Sequence, residues 1–509
     1  MSNSGDSAKP TIGVVGAGTM GRGIVQLFAQ AGHRVLCFDA QPRASAKAVE
    51  YVAGMIGRGV EKGRITAEQL TRIQERMRAC DEISQLRECD IVVEAIVEDL
   101  EAKRKLFREL EAVVGGGAIL ASNTSSLTVA EIAAACARPA QVAGLHFFNP
   151  VPLMKVAEVI AAVRTSPRTV ETLKAITEGA GHRAVVTADQ PGFLINHAGR
   201  GFYTEGLRIV EEQVASSSDV DDVLREAMGF RMGPFELLDL TGLDVSSKVM
   251  ASIYEQFHQE PRFRPSSLVA PRVAAGLFGR KSGEGWYRYD ADGRKEVAPV
   301  RANAAFPAGL SVWIDPEAAG AAALRELAAH AGARIVAEGR EAALAIVQPW
   351  GRDATSSALA LGLDAARCVA IDPMTSLALR RTVMLSATTP PQARDAALGL
   401  FTSDGVPVTL INDSAGFIAQ RVMATIVNIA CNIAQRGIAS VADIEDAVPL
   451  GLGYPRGPLA WGDQIGAARI LAILRAQQEA TGDPRYRPSP WLVRRAGLGL
   501  PLVTPEAQR

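Results

Sequence analysis

The chain has 509 residues, with 54 Lys and Arg against 55 Asp and Glu and a formal net charge of −1. So balanced a charge offers no basic face to nucleic acid or to an anionic membrane, and no apolar run is long enough to span a bilayer. The length calls for several domains.

The polar stretch at residues 1–10 lacks the apolar core of a signal peptide. Residues 11–15, Thr-Ile-Gly-Val-Val, read as a short buried strand. Gly16-Ala-Gly-Thr-Met-Gly21 follows at once, then the helical-period residues Ile24, Val25, Leu27 and Phe28. A G-x-G-x-x-G run between strand and helix sets a pyrophosphate on the positive end of the helix. Gly16 serves the tight turn, Gly18 the close backbone approach and Gly21 the packing of helix on strand. A second strand, residues 34–38, ends at Asp39, 23 positions after Gly16. A carboxylate there accepts hydrogen bonds from ribose hydroxyls and repels a 2′-phosphate, which predicts NAD; Arg43 is the residue that keeps NADP open.

Residues 90–95 and 118–122 read as further strands, alternating with helical stretches as in a parallel, doubly wound sheet. The second runs into Asn123-Thr-Ser-Ser126, at a strand end where such sheets bind ligands, although helix capping explains any one of these residues equally well. Residues 145–160 then set His146 and Glu158 twelve positions apart in two apolar, strand-like runs, with Asn149, Pro150 and Pro152 in the turn. Two strands doubling back bring imidazole and carboxylate together, and a buried pair of this kind is a general base with its orienter. Most histidines in apolar runs are satisfied core residues; the nucleotide site upstream is what favours chemistry here.

Gly16–Gly21, Ser122-Asn-Thr-Ser-Ser126, His146-Phe-Phe-Asn-Pro150, Pro191-Gly-Phe193 and Gly233-Pro-Phe-Glu-Leu-Leu-Asp239 follow one another in an order and spacing that resemble the L-3-hydroxyacyl-CoA dehydrogenase family. The resemblance implies NAD-dependent oxidation of a (3S)-3-hydroxyacyl-CoA to the 3-oxoacyl-CoA. It puts the active site on His146, Glu158, Ser125 and Asn196, with Ser125 and Asn196 holding the reacting oxygen or the thioester carbonyl. Cofactor contacts fall on Gly16, Gly18, Thr19, Met20, Gly21, Asp39, Glu98, Lys103, Asn149 and Lys281. A coenzyme A contact falls on Lys62, in a run that also reads as a solvated helix end. His197 departs from the family, in which an arginine follows the asparagine.

The length beyond residue 290 is a repeat. Asp189-Gln-Pro-Gly-Phe193-Leu-Ile-Asn196 returns as Asp413-Ser-Ala-Gly-Phe417-Ile-Ala-Gln420. Gly192 and Gly416, Gly233 and Gly457, and Asp239 and Asp463 are each 224 positions apart. The family's helical domain therefore occurs twice. Residues 310–410 read as alternating strand and helix without a G-x-G-x-x-G run, an α/β remnant with no nucleotide site. Gln420 stands at the Asn196 position, Val369 or Ala370 at that of the histidine, and Arg381 or Thr382 near that of the glutamate, so the second copy is expected to be non-catalytic. Residues 290–308, polar and broken by Pro299 and Pro307, read as a linker.

The predicted class is α/β plus all-α. A Rossmann-type doubly wound sheet spans 1–188 and a first helical domain 189–290. A linker with a degenerate α/β segment spans 291–410, and a second helical domain 411–509. Members with one helical domain pair through it, so a homodimer or a pseudo-dimeric monomer is expected. Cys37, Cys80, Cys89, Cys136, Cys368 and Cys431 are scattered, which suits a reducing cytoplasm, and neither they nor the histidines have metal-ligand spacing.

The acyl chain stays open between 3-hydroxyadipyl-CoA, of phenylacetate catabolism, and 3-hydroxybutyryl-CoA. A dicarboxylic tail calls for a cation, with Arg200, Arg208 and Arg231 as candidates. Two other readings stand beside this one: an NAD-dependent dehydrogenase of free 3-hydroxy acids, and an NADH-binding structural or sensing protein without turnover.

Overall fold

The computed structural model describes residues 9–296 and 305–507. Most of the polar N-terminal stretch, and Pro299 within the expected linker, lie outside the described residues. The chain divides into two compact units. One runs to His197 and includes Arg436–Leu452; the other holds Ala198–Gln435 with the residues from Gly453 onward.

The first unit is built on eight strands: β1 (Ile12–Val15), β2 (Val35–Phe38), β3 (Met77–Cys80), β4 (Ile91–Glu94), β5 (Ile119–Ser122), β6 (Val142–Phe147), β7 (Val156–Ala161) and β8 (Arg183–Ala188). Their order is β3-β2-β1-β4-β5-β6-β7-β8, parallel except where β6 meets β7. The short apolar runs are buried on both faces, as central parallel strands require. Ile12 and Val14 pack with Ile24 and Phe28 on one face, while Val15 packs with Leu36, Val92 and Phe107 on the other. Both β2 and β4 flank β1, so the strand order reverses there and opens a crevice at the C-terminal strand ends. The helix Val441–Leu452 joins this unit through β8. Arg183 meets Asp443 at 2.7 Å and Asp446 at 2.8 Å, and Ala188 N donates to Ile438 O at 2.8 Å.

The second unit combines helices with six strands: β9 (Ser311–Ile314), β10 (Arg334–Ile335), β11 (Leu344–Val347), β12 (Cys368–Ile371), β13 (Arg381–Leu385) and β14 (Val408–Ile411), in the order β10-β9-β11-β12-β13-β14. The helix Ile418–Gln435 is buried nearly all round and forms the centre of the helical part, packed on the helix Arg200–Glu211. Asn412 N donates to Val214 O at 2.9 Å, the counterpart, 224 positions on, of the Ala188–Ile438 bond in the first unit.

Sheet register shows how the repeat extends into the α/β part. The pairing of Leu120 with Val142 recurs as Ala345 with Cys368, Gly144 with Ile160 as Ala370 with Met384, and Glu158 with Val185 as Thr382 with Thr409. Two residues beyond Ala370 the same register sets Asp372 where β6 carries His146. Its N–H donates to the Thr382 carbonyl at 3.1 Å, and Thr382 holds the place of Glu158. The expectation of Val369 or Ala370 at the histidine position is therefore corrected. The hairpin of the second copy is two residues shorter, so matching Asp372-Pro373 to Asn149-Pro150 shifts the strand out of register.

Candidate active site

The glycine-rich turn closes as its residue types demand. Gly16 has φ +106, and a Cβ on it would lie 2.4 Å from the Ala95 carbonyl oxygen; one on Gly21 would lie 1.8 Å from that of Gly16. Gly18, at the N-cap of the helix Thr19–Gln30, has open space around it. Asp39 follows β2 and accepts hydrogen bonds from Ala17 N at 2.7 Å and Gln41 N at 2.8 Å, which ties the second strand to the turn. Gly16, Gly18 and Asp39, with Phe38 and Ile96, line a cleft of about 770 Å³. An open helix N-terminus facing a carboxylate across such a cleft fits a pyrophosphate and an adenosine ribose. Arg43 is exposed at the start of the next helix.

Two carboxylates organise the ends of β4 and β5. Glu94, fully buried, accepts from Lys103 Nζ at 2.5 Å, Ser122 Oγ at 2.6 Å and Ile96 N at 2.8 Å. Glu98 accepts from Thr124 Oγ1 at 2.7 Å and from the backbone of Ser125 and Ser126 at 2.9 Å each, with Lys103 Nζ at 3.3 Å. Burial alone would raise the Glu98 carboxyl; the hydrogen bonds from Thr124 and its neighbours, with the Lys103 ammonium, more than offset it and hold it below its ordinary value. Ser125 is thus presented on a loop shaped by Glu98, its side chain exposed. Lys103 is itself buried between the two carboxylates and does not line the cleft. Asn123 Oδ1 accepts from Phe147 N at 2.8 Å, fastening this loop to β6 beside His146.

His146 and Glu158 are direct neighbours across β6 and β7. Nδ1 lies 2.6 Å from Glu158 Oε2, with His146 5% and Glu158 0% exposed. The second oxygen, Oε1, accepts from Leu194 N at 2.9 Å and Ile195 N at 2.8 Å. Glu158 therefore grips both the imidazole and the start of the short helix Ile195–Ala198, on which Asn196 stands half-buried. An acceptor facing Nδ1 makes that nitrogen the donor and leaves Nε2 for a reacting proton.

The remaining positions are more dispersed. Asn149 is exposed in the turn, joined to Pro150 by a cis peptide bond, and Lys62 is exposed just after the helix Ala44–Glu61. Thr19 is exposed and Met20 half-buried at the helix start. Lys281 belongs to the other unit, where its ammonium is 2.5 Å from Asp244. Of the arginines considered for an acyl tail, Arg208 is bound to Glu212 at 2.6 Å, Arg200 is buried with its guanidinium over the Tyr203 ring, and Arg231 is exposed. Asp239 is structural: its carboxylate accepts from Trp286 N, Tyr287 N and Tyr289 Oη, and Asp463 in the repeat likewise accepts from Leu502 N. Sequence reasoning passed over Glu94 and took Asn123 only as one member of the polar run at the strand end. The available signal was a carboxylate and an amide at the ends of fully apolar strands, where burial demands partners.

A doubly wound sheet with a glycine-rich turn at its switch point and a buried histidine–carboxylate pair nearby defines an NAD-dependent dehydrogenase. The family described as 3-hydroxyacyl-CoA dehydrogenase, NAD binding domain, matches residues 11–190, and its C-terminal domain matches twice, over 192–289 and 416–501. The chain belongs to the 3-hydroxyacyl-CoA dehydrogenase family. It is 36% identical over 488 residues to a 3-hydroxyadipyl-CoA dehydrogenase of Escherichia coli (strain K12), covering 96% of this chain and 98% of the relative. A probable 3-hydroxybutyryl-CoA dehydrogenase of Bacillus subtilis is 38% identical over 277 residues, 54% of this chain and 96% of the relative. Among solved structures, a 3-hydroxybutyryl-CoA dehydrogenase from Escherichia coli K12 superposes with a TM-score of 0.84 at 36% identity, over 96% of this chain and 98% of that one. Among the described residues, no helix is long and apolar enough to cross a membrane.

Proposed function

We propose that this dehydrogenase acts on 3-hydroxyadipyl-CoA, oxidising the (3S)-3-hydroxyl to the ketone. The choice of acyl chain is carried by the name of the full-length Escherichia coli relative; the solved structure that matches the same 96% of the chain bears the 3-hydroxybutyryl-CoA name, and that substrate is the second reading. NAD bound in the cleft supplies the hydride acceptor. The backbone from Gly16 to Gly21, with Thr19 and Met20, would hold the pyrophosphate and Asp39 the ribose, while Glu98, Asn149 and Lys281 are the further cofactor positions, and Lys103, buried behind Glu98, would act through that carboxylate. Lys62 is the coenzyme A contact.

His146 takes the proton of the 3-hydroxyl on Nε2. Glu158 fixes the tautomer through the 2.6 Å contact to Nδ1 and offsets the charge that develops on the ring. Ser125 and Asn196 donate hydrogen bonds to the reacting oxygen or the thioester carbonyl. In the reverse direction His146 is the acid.

The domain reading follows the sequence: a nucleotide domain to 188, a helical domain to 290, a linker and α/β remnant to 410, and a second, non-catalytic helical domain. We read the second copy as an internal partner that replaces the second subunit of a dimer at high effective concentration. The hydrogen bonds that join residues of the two copies within each unit support this. Six free cysteines, five of them buried, suit a cytoplasmic setting.

The test compares kcat/KM for 3-hydroxyadipyl-CoA and 3-hydroxybutyryl-CoA with NAD, beside His146→Gln. The reading expects preference for the former and, in the variant, intact NADH binding with most turnover gone. Preference for the butyryl substrate overturns the acyl assignment; a near wild-type rate in the variant overturns the base.

A further inference from the structure

The His146 imidazole has one polar tether and two aromatic walls. Nδ1 is held by Glu158, while the Phe148 ring lies 4.5 Å away centroid to centroid and the Phe193 ring 5.9 Å away, edge to face. A ring tethered at one nitrogen can still swing about that bond; rings packed at its sides stop the swing and fix where Nε2 points.

Phe193 reaches this place from an unusual backbone. Its φ is +50, in the left-handed region that a residue with a Cβ seldom occupies. The conformation is held by Phe193 N donating to Gln190 O at 2.8 Å, by His197 N donating to Gly192 O at 3.0 Å, and by the grip of Glu158 on the next two amides.

The repeat supplies an internal comparison. Phe417 occupies the same place in the second copy, follows a glycine that also has positive φ, and is as fully buried, yet its own φ is not positive. Burying a phenylalanine after this turn therefore does not require the left-handed conformation. The copy that retains it is the one with a histidine on its sheet; the other has Asp372 there.

We propose that Phe193 is a positioning residue for His146, its left-handed backbone kept because it turns the ring against the imidazole and, with Phe148, aims Nε2 at the substrate hydroxyl. The proposal rests on reading His146 as the base. A misaimed base slows the chemical step, and Phe193 itself is not among the nucleotide or coenzyme A contacts.

The test uses the full chain with NAD and 3-hydroxyacyl-CoA, protiated or deuterated at C3. In Phe193→Leu, and in Phe193→Gly, where the backbone conformation costs nothing, kcat is expected to fall about tenfold with both KM values within about twofold and a larger deuterium isotope effect on kcat. Phe148→Leu, at the half-buried second ring, is expected to show the same fall in kcat and the same rise in the isotope effect. Phe417→Leu should change neither kcat nor the isotope effect. His146→Gln run alongside separates the two claims: turnover in that variant removes the base. An inactive His146→Gln together with unchanged kcat and isotope effect in the Phe193 and Phe148 variants overturns the positioning role.

Discussion

Arg421 and Glu205 lie 2.7 Å apart, 3% and 1% exposed, on helices that belong to different copies of the repeated helical domain. Arg421 also reaches Glu212 and Ser414 at 2.8 Å each, and the Tyr486 hydroxyl donates to Glu205 at 3.1 Å. Arg421 stands 224 positions after His197, so the arginine missing beside Asn196 is present beside Gln420. An ion pair formed between copies is what a subunit interface folded into one chain would retain.

Removing one partner leaves the other charged and buried. Arg421→Met is expected to cost about 3–5 kcal/mol, read as a lowered denaturant midpoint, and Glu205→Leu/Arg421→Met is expected to recover part of that loss. A double variant no better than the single one would mean that the pair holds geometry beyond its own charges.

A chain ended at Asp290 would lose the second-copy half of these contacts, leaving Glu205 buried without Arg421. In the unit that carries His146, Arg183 would lose Asp443 and Asp446, and Ala188 N would lose the Ile438 carbonyl. The shortened chain is expected to self-associate or precipitate, as light scattering behind size exclusion would report. A stable, fully active monomer would show that the second copy is dispensable.

How much of this was legible in the sequence depended on how local each constraint is. The glycine turn and Asp39 could be read because backbone geometry dictates residue type over a few positions. The His146–Glu158 pair could be read because one hairpin joins them. Asp372 could not, since its register hangs on a hairpin two residues shorter than its counterpart. Nor could the Arg421–Glu205 pair, 216 residues apart, whose meeting is a product of helix packing. The pairing of Glu94 with Lys103 lay hidden for a third reason: the two are buried together only once strand and helix are placed against the sheet.

The loop that presents Ser125 depends on Glu98 as an acceptor. Glu98→Gln removes a charge that two backbone amides and the Thr124 hydroxyl point at, and it leaves the buried Lys103 with Glu94 alone. The expected result is a loss of about 1–3 kcal/mol in stability and roughly tenfold in kcat/KM for the acyl-CoA. Glu98 is held below its unfolded value of 4.5, so its contribution is complete above that pH and is lost as pH falls through the lowered folded value. Wild type should therefore lose its stability margin over the Gln variant in strong acid; an equal margin at neutral and acid pH would contradict this.

Asp372 should behave in the opposite sense. Burial lifts its carboxyl from 3.8 to about 6, although Met374 N and Gln420 Nε2 both donate to Oδ1. Between those values the folded chain keeps a proton that the unfolded chain has released, so raising the pH favours unfolding. The penalty is absent below about 3.8, grows through 6 and then levels off, reaching at most about 3 kcal/mol. Asp372→Asn keeps an oxygen for both donors and removes the titration. Its melting temperature should fall less than that of wild type between pH 4.5 and 7, and parallel curves for the two proteins would exclude Asp372 as the source of the pH dependence.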